Sequence, residues 1–153
     1  MITPSQKLKE LGITLPEPTP PVASYIPGVR TGNLVLVSGQ IPIKDGVVTC
    51  AGKVPTDVSL EVAQAAARQC ALAGLAIAAA TAGGVDNIRR VIRLGVFVNS
   101  ADGFTAQPKV ANGASDLMIE IFGDSGRHVR AAVGANELPL NAAVEVEMMV
   151  EVD

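Results

Sequence analysis

The sequence predicts an α+β domain in which one mixed β-sheet carries two helices packed on one of its faces. Three observations support this architecture. The chain has 153 residues and is 48% hydrophobic, which is enough to bury a sizeable core. Apolar residues recur at helical spacing in residues 59–82 and 108–122. In residues 143–152 an apolar face alternates with one that carries three glutamates and Met149, which is typical of a strand with one buried face.

The first 21 residues are expected to form a helical turn followed by an extended arm. Residues 7–11 have a short helical pattern, which Gly12 ends. Residues 15–21 read LPEPTPP, with four prolines in seven residues. Because proline fixes φ and lacks a backbone N–H, this stretch is incompatible with the interior of a sheet.

Two strands are expected before the first long helix. Residues 33–38, NLVLVS, are β-branched and apolar, which favours a strand. The Asp45–Gly46 pair is typical of a hairpin turn, and residues 47–50 follow it as a short returning strand.

The strongest helical pattern covers residues 59–82, and a long strand is expected after it. Either Asp57 or Ser59 can cap this helix, and the two glycines that follow it are expected to end it. Its residues are mostly small and apolar, so it is expected to be buried on most sides. Residues 87–99 are strand-like, with a break in the alternation near Gly95 that predicts a bulge or bend.

One more helix and two more strands complete the predicted order β, β, α, β, α, β, β. Pro108 is favoured in the first turn of the helix over residues 108–122. Residues 128–135 and 143–152 are the remaining strands. The apolar stripe of the second helix is Val110, Ala114, Leu117 and Ile121.

No repeat or linker divides the chain, so residues 1–153 are expected to form a single domain. Two helices cover only one face of such a sheet. The other face must be in contact with solvent or with another chain, and the second possibility predicts a homo-oligomer.

Composition excludes several classes of protein. High hydrophobicity and a net charge of −3 exclude a disordered chain. The negative charge and 3% aromatic content argue against a dedicated nucleic-acid binder. One histidine and two cysteines provide no zinc-binding cluster, and no metal or cofactor is expected. Cys50 is expected to be inert and partly exposed, and Cys70 to be buried in the first long helix.

The chain is expected to be a soluble cytoplasmic protein. Its N-terminus lacks the apolar core of a signal peptide. The longest apolar stretch without charges, residues 69–85, is short and weakly apolar for a membrane span.

Arg130 and Glu145 are the leading candidates for a functional site. No serine or cysteine nucleophile motif, P-loop or dinucleotide-binding fingerprint is present. Arg130 begins an otherwise apolar strand, where a guanidinium can bind a carboxylate through two hydrogen bonds, or can instead be a surface or ion-paired residue. Glu145 can act as a general acid or base. Alternatively, it is one of several acidic residues on the solvent-exposed face of its strand.

Other polar residues lie at the ends of the predicted elements. The Tyr25 hydroxyl can donate to a ligand, or the ring can pack against the protein. Asn112, in the first turn of its helix, can serve in capping or solvent contact. His128 is expected to share a strand face with Arg130 and is more often structural than catalytic at such a position. The Ser38–Gly39 turn can present backbone N–H groups to an anion.

Three motifs together resemble the Rid/YjgF family of imine and enamine deaminases, also labelled endoribonuclease L-PSP or translation inhibitor. They are GVxxGNLVLVSGQIP at 28–42, RAAVxxxxLP at 130–139 and AVEVE at 143–147. The similarity extends from about Tyr25 to the C-terminus. The order and spacing of the motifs are fairly specific.

The resemblance implies roles for six residues. Arg130 corresponds to the family's carboxylate-binding arginine, the Gly39 N–H to a ligand contact, and Glu145 to the glutamate that positions or activates water. The other matches to substrate-binding positions are Tyr25, Ser38 and Asn112.

The resemblance also implies a chorismate-mutase-like fold, a homotrimer with sites between subunits, and hydrolysis of substrates such as 2-aminoacrylate. This chain departs from many deaminase members at Ala132, where they have cysteine. Its proline-rich arm and its second helix are also longer. Two alternatives remain open: a non-catalytic module that binds small carboxylates, and RNA cleavage, against which the acidic charge argues.

Overall fold

A five-stranded sheet and two long helices make up most of the fold. The computed structural model describes residues 1–18 and 23–153. The helices are α1 (Pro4–Glu10), α2 (Leu60–Ala82) and α3 (Gln107–Phe122). The strands are β1 (Gly28–Thr31), β2 (Leu34–Gln40), β3 (Ile43–Lys44), β4 (Val47–Val48), β5 (Ile88–Asn99), β6 (Val129–Ala135) and β7 (Val144–Val152).

The main sheet has the spatial order β1-β2-β7-β5-β6. Its neighbours are antiparallel, except that β5 and β6 are parallel and are connected through α3. Helices α2 and α3 pack against each other and against this sheet. The predicted α+β architecture, with a mixed sheet and two helices on one face, is therefore confirmed.

The core lies between the sheet and the two helices. In β7, Val144, Val146, Met148 and Val150 are buried, and the intervening residues are only partly buried. This alternation is the one expected from the sequence, because successive strand residues point to opposite faces. The predicted stripe of α3 is also buried along its whole length: Val110, Ala114, Leu117 and Ile121.

Helix α2 has the ends that its sequence predicts. The Ser59 hydroxyl accepts a hydrogen bond from the Val62 N–H at 3.2 Å, and Gly83 ends the helix in the left-handed region with φ 82°. Asp57 instead accepts from the Lys53 N–H. By length and composition alone α2 could cross a membrane, but 61% of its most apolar window is buried inside the fold. This burial is typical of a core helix.

The N-terminal segment begins its helix earlier than expected. The sequence predicted a helical turn over residues 7–11, whereas α1 starts at Pro4. Thr3 caps it, and the Gln6 side chain accepts in return from the Thr3 N–H. Of the predicted arm at 15–21, residues 15–18 have no helix or strand, and 19–21 lie outside the described residues.

Three strand assignments differ from the prediction, and one of them is the two-residue strand β3, which the sequence did not predict. The four-residue edge strand β1 was missed, because GVRT has three exposed residues and no apolar alternation. The expected strand at 47–50 is reduced to β4, which pairs with β3 in a separate hairpin rather than in the main sheet. The turn between them is as predicted, with Asp45 and Gly46 both at positive φ.

The irregularity in β5 lies before the position that the sequence predicted. Gly95 pairs regularly with Glu147 and Ala131, whereas the register shifts fall between residues 88 and 93. Ile88, Val91 and Leu94, spaced three apart, are all buried. A regular strand cannot place residues at that spacing on one face, so the two shifts bring them to the core.

Both cysteines are free and buried. Cys70 is fully buried as predicted, but Cys50 is only 9% exposed rather than partly exposed. Burial raises the pKa of both thiols, and the effect is larger at Cys70. The protonated, unreactive form is therefore favoured at both positions.

Candidate functional site

Arg130 lies on the edge strand β6 and reaches toward the first turns of α3. It pairs with Leu94, whose side chain is buried, so Arg130 points to the helix-covered side of the sheet. Its Nη1 donates to Asn112 Oδ1 at 2.8 Å and to Ser115 Oγ at 3.0 Å, and its Nη2 donates to the Pro108 carbonyl at 3.2 Å. The structure thus brings two of the predicted residues, Arg130 and Asn112, into contact.

The Arg130 guanidinium is held by neutral acceptors. Among the described residues, no carboxylate lies within ion-pair distance of it. A guanidinium has five N–H donors, and the three hydrogen bonds leave Nε–H and one Nη2–H for another acceptor. Because the side chain is also exposed, it can bind an external carboxylate.

Ser115 and His128 belong to the same cluster, and the sequence did not identify Ser115 as functional. The Ser115 Oγ lies 2.8 Å from His128 Nε2, and His128 Nδ1 lies 2.7 Å from the Gly126 carbonyl oxygen. His128 was predicted to share a strand face with Arg130, but β6 begins one residue later, at Val129. Both side chains nevertheless contact Ser115. Ser115 is buried and follows Ala114 of the predicted apolar stripe, a position that no distinctive sequence pattern marks.

A second pair of predicted residues, Gly39 and Glu145, is in contact elsewhere on the sheet. Glu145 pairs with Phe97, between the buried Val144 and Val146, so it points to the face that α2 and α3 leave open. A Cβ on Gly39 would lie 2.8 Å from the Glu145 Cδ. A larger residue at this position would therefore force the Glu145 carboxylate to move.

The Glu145 carboxyl is in an environment that disfavours its charge. Partial burial raises its pKa, and the nearby Glu147 carboxylate raises it further. Glu147 itself pairs with Arg93, with Nη1 and Oε1 3.3 Å apart. Glu145 thus suits a group that exchanges protons nearer to neutral pH than an ordinary glutamate does.

Ser38 and Tyr25 are the remaining predicted site residues. The Ser38 N–H donates to the Pro27 carbonyl at 2.8 Å. Its hydroxyl is buried and has no hydrogen-bond partner among the described residues, and it lies next to Gly39 in β2. Tyr25 is 50% exposed and precedes the edge strand β1.

The predicted residues lie at three separate places within one chain. The backbone positions of Arg130 and Glu145 are two strands and three residues apart, about 14 Å. Their side chains lie on opposite faces of the sheet. Tyr25 precedes β1, the opposite edge from β6. A single chain therefore brings together Arg130 with Asn112, and Gly39 with Glu145, but does not unite the two pairs.

The described part of the chain also has surface cavities away from these two pairs. One, of about 800 Å³, lies between the N-terminal arm, the β3–β4 hairpin and α2. Another, of about 610 Å³, is lined partly by Arg90, Arg127 and His128. Neither is lined by Arg130, Gly39 or Glu145. In the described ranges 1–18 and 23–153, no three His, Cys, Asp or Glu side chains are grouped to hold a metal ion.

We expect Glu145→Gln to stabilise the protein at pH 8. A raised pKa in the folded state means that folding disfavours the ionised form, and this penalty is present above the folded-state pKa. It vanishes below the unfolded-state pKa of about 4.3, so the advantage of the variant should disappear in acid. Urea unfolding at several pH values measures the difference.

Glu137→Gln, at an exposed side chain, is the matched control and should change little at either pH. If the wild-type protein were more stable than Glu145→Gln at pH 8, the favourable interactions of the Glu145 carboxylate would exceed the cost of burying its charge.

Comparisons with known proteins identify the family. A family model described as "YjgF/chorismate mutase-like, putative endoribonuclease" matches residues 5–152. The chain is 44% identical over 147 residues to Protein TCP17 of Trypanosoma cruzi, covering 95% of this chain and 92% of that protein. It is 29% identical over 141 residues to a 2-iminobutanoate/2-iminopropanoate deaminase of Dermatophagoides farinae, covering 92% and 95% of the two chains.

A solved structure, that of the protein Atu1372 from Agrobacterium tumefaciens, has the same fold. The TM-score is 0.87 and the sequence identity is 45%, over 99% of this chain and 92% of that one. The family model covers nearly the whole chain and the predicted resemblance is confirmed. The chain belongs to the YjgF/chorismate mutase-like family.

Proposed function

We propose that this protein hydrolyses reactive enamines and imines of small amino acids, such as 2-aminoacrylate, to 2-keto acids and ammonia. The observation that carries the proposal is the Arg130 guanidinium, held by three neutral oxygen acceptors and left with two N–H donors. Two donors are the number that one carboxylate accepts in bidentate binding. Similarity to the D. farinae deaminase supports the same reaction.

The proposed chemistry needs a held carboxylate and an activated water. Arg130 binds the substrate carboxylate, and the Gly39 N–H provides a further contact. After 2-aminoacrylate tautomerises to its imine, water adds to the C=N carbon, and Glu145 takes the proton that water loses. That proton passes to the nitrogen and gives a neutral carbinolamine. The carbinolamine hydroxyl then loses the second proton, which also passes to the nitrogen as the C–N bond breaks, so ammonia leaves and the keto group forms. Positioning of this kind supplies much of the rate enhancement.

We propose that the complete site forms between copies of the chain in a homotrimer. The support is geometric, because Arg130 and Glu145 point to opposite faces of one sheet and Tyr25 lies near the far edge. A neighbouring copy can place its Gly39 and Glu145 opposite Arg130 and Asn112. In sedimentation equilibrium the expected mass is three times 15.7 kDa, and a monomer would contradict this assembly.

We propose that the reaction takes place in the cytoplasm, and two free cysteines are compatible with a reducing compartment.

The test generates an imino acid with an amino-acid oxidase or a dehydratase and follows the release of ammonia and 2-keto acid. We expect the wild-type protein to accelerate release above the spontaneous rate. Absence of acceleration at high protein concentration would overturn the deaminase proposal. Carboxylate binding without acceleration would instead support the non-catalytic binding module, which uses the same Arg130.

RNA cleavage, which the family description names, is the third possible outcome. A net charge of −3 does not favour a polyanionic substrate. Cleavage of single-stranded RNA that survives repeated purification and disappears in Arg130→Ala would establish it.

A further inference from the structure

The hydrogen bonds behind Arg130 define one arrangement of protons. The Gly126 carbonyl can only accept, so His128 Nδ1, 2.7 Å away, must carry a proton. In the neutral imidazole, Nε2 is then an acceptor, and the Ser115 hydroxyl donates to it at 2.8 Å. The Ser115 oxygen remains free to accept from the Arg130 Nη1. Each of the three hydrogen bonds that link Arg130 Nη1, Ser115, His128 and the Gly126 carbonyl thus pairs one donor with one acceptor.

We propose that Ser115 and His128 are positioning residues, which act on the substrate carboxylate through Arg130. This inference rests on the carboxylate-binding role proposed for Arg130. The imidazole fixes the direction of the Ser115 hydroxyl, so that the serine presents a lone pair to the guanidinium. Together with Asn112 and the Pro108 carbonyl, it holds the remaining N–H donors of Arg130 toward the substrate.

We call the hydrogen-bonded series Arg130–Ser115–His128–Gly126 the relay. Its Gly126 end packs against the backbone of α3. Gly126 is buried, and a Cβ there would lie 2.2 Å from the Met118 carbonyl oxygen. The Gly126 carbonyl is therefore fixed relative to α3, on which Ser115 lies less than one turn before Met118. Both ends of the relay are tied to the same helix, so the imidazole has little freedom to turn. This rigidity is what a positioning role requires.

Two replacements of His128 separate a positioning role from a purely structural one. Glutamine places an amide oxygen near the former Nε2 and can still accept from Ser115. Asparagine places an amide nitrogen near the former Nδ1, so it retains the hydrogen bond to Gly126 but leaves the Ser115 hydroxyl without its acceptor. A positioning role predicts that His128→Gln recovers carboxylate affinity and that His128→Asn does not.

The experiment measures the Kd of 2-oxobutanoate by calorimetry and the KM and kcat of deamination for each variant. Ser115→Ala and His128→Asn should each raise Kd and KM roughly tenfold, because one hydrogen bond to a charged group is lost or misdirected. Their kcat should change less than twofold, and His128→Gln should stay within twofold of wild type in all three quantities. The proposal would be overturned if His128→Asn bound the carboxylate more tightly than His128→Gln. It would also be overturned if Ser115→Ala left Kd and KM unchanged.

The relay can also be tested without substrate, because His128 is the single histidine of the chain. In ¹⁵N NMR of the neutral side chain we expect a protonated Nδ1 and an unprotonated Nε2. Ser115→Ala and Arg130→Met should both shift the Nε2 resonance. If the wild-type protein neither binds 2-oxobutanoate nor deaminates imino acids, the proposed function fails. The NMR shifts would still show whether Arg130, Ser115 and His128 are joined by hydrogen bonds. The opposite tautomer, or an Nε2 signal unmoved in both variants, would overturn the proposed relay.

Discussion

Replacing Arg130 with methionine is expected to lower kcat/KM for imino-acid deamination about a thousandfold, or roughly 4 kcal/mol of transition-state stabilisation. The reason is the loss of two charge-assisted hydrogen bonds to the substrate carboxylate, each typically worth about 1.5–3 kcal/mol. The free energy of unfolding should fall by less than about 1 kcal/mol, because the side chain is exposed and its present hydrogen bonds are replaceable by water.

Two further variants make this test specific. Arg130→Lys keeps the charge but loses the planar fork, so it should recover only part of the activity. Arg127→Met removes a neighbouring arginine whose ion pair with Asp124 is exposed, and it should leave kcat/KM unchanged. If Arg130→Met retains more than a tenth of the wild-type kcat/KM, Arg130 does not bind the reacting carboxylate.

Gly113→Ala is expected to destabilise the protein by about 3 kcal/mol or more. In an exposed helix the same change stabilises by roughly 0.5–1 kcal/mol. Here α2 and α3 approach so closely that a Cβ on Gly113 would lie 2.0 Å from the Gln64 carbonyl oxygen. The Gln64 side chain also donates to the Lys109 carbonyl across the same contact at 2.6 Å. Urea unfolding monitored by circular dichroism measures the difference.

The control for this substitution is Gly103→Ala. Gly103 has φ +82° and open space around it, so alanine meets only backbone strain, about 1 kcal/mol. The two variants separate a steric clash from strain, and a Gly113→Ala protein as stable as wild type would contradict the close helix contact. Because Asn112 flanks Gly113 and contacts Arg130, displacement of α3 should also weaken carboxylate binding.

Strong periodicity was sufficient to predict most of the fold. The alternation in β7 and the stripe of α3 were each visible in the sequence, since burial on one face imposes a period. The edge strand β1 carries no such signal, because three of its four residues are exposed. The register shifts in β5 were misplaced because a glycine at 95 suggested a bulge. Its actual place is beside Glu147, where a Cβ would lie 2.6 Å from the carboxylate oxygen.

The sequence predicted which residues belong to the candidate site but not how they are arranged in space. The resemblance to a known family pointed to Arg130, Asn112, Gly39 and Glu145, and the structure pairs them two by two. Their distribution over two faces of the sheet depends on strand order, which a single sequence does not encode locally. Ser115 was missed because a serine beside an apolar stripe has no distinctive spacing.

The two pairs of site residues differ in the length of chain that each contact closes. Hydrogen bonds between α3 and the segment that holds His128 and Arg130 join residues 13 to 22 positions apart. We call these residues the arginine cluster. Contact between Gly39 and Glu145 requires the two ends of the domain to meet. Because loop-closure entropy grows with length, the arginine cluster can form early in folding and the carboxylate pair only late. Insertions in the β3–β4 hairpin would therefore alter the assembly of the second pair while sparing the first.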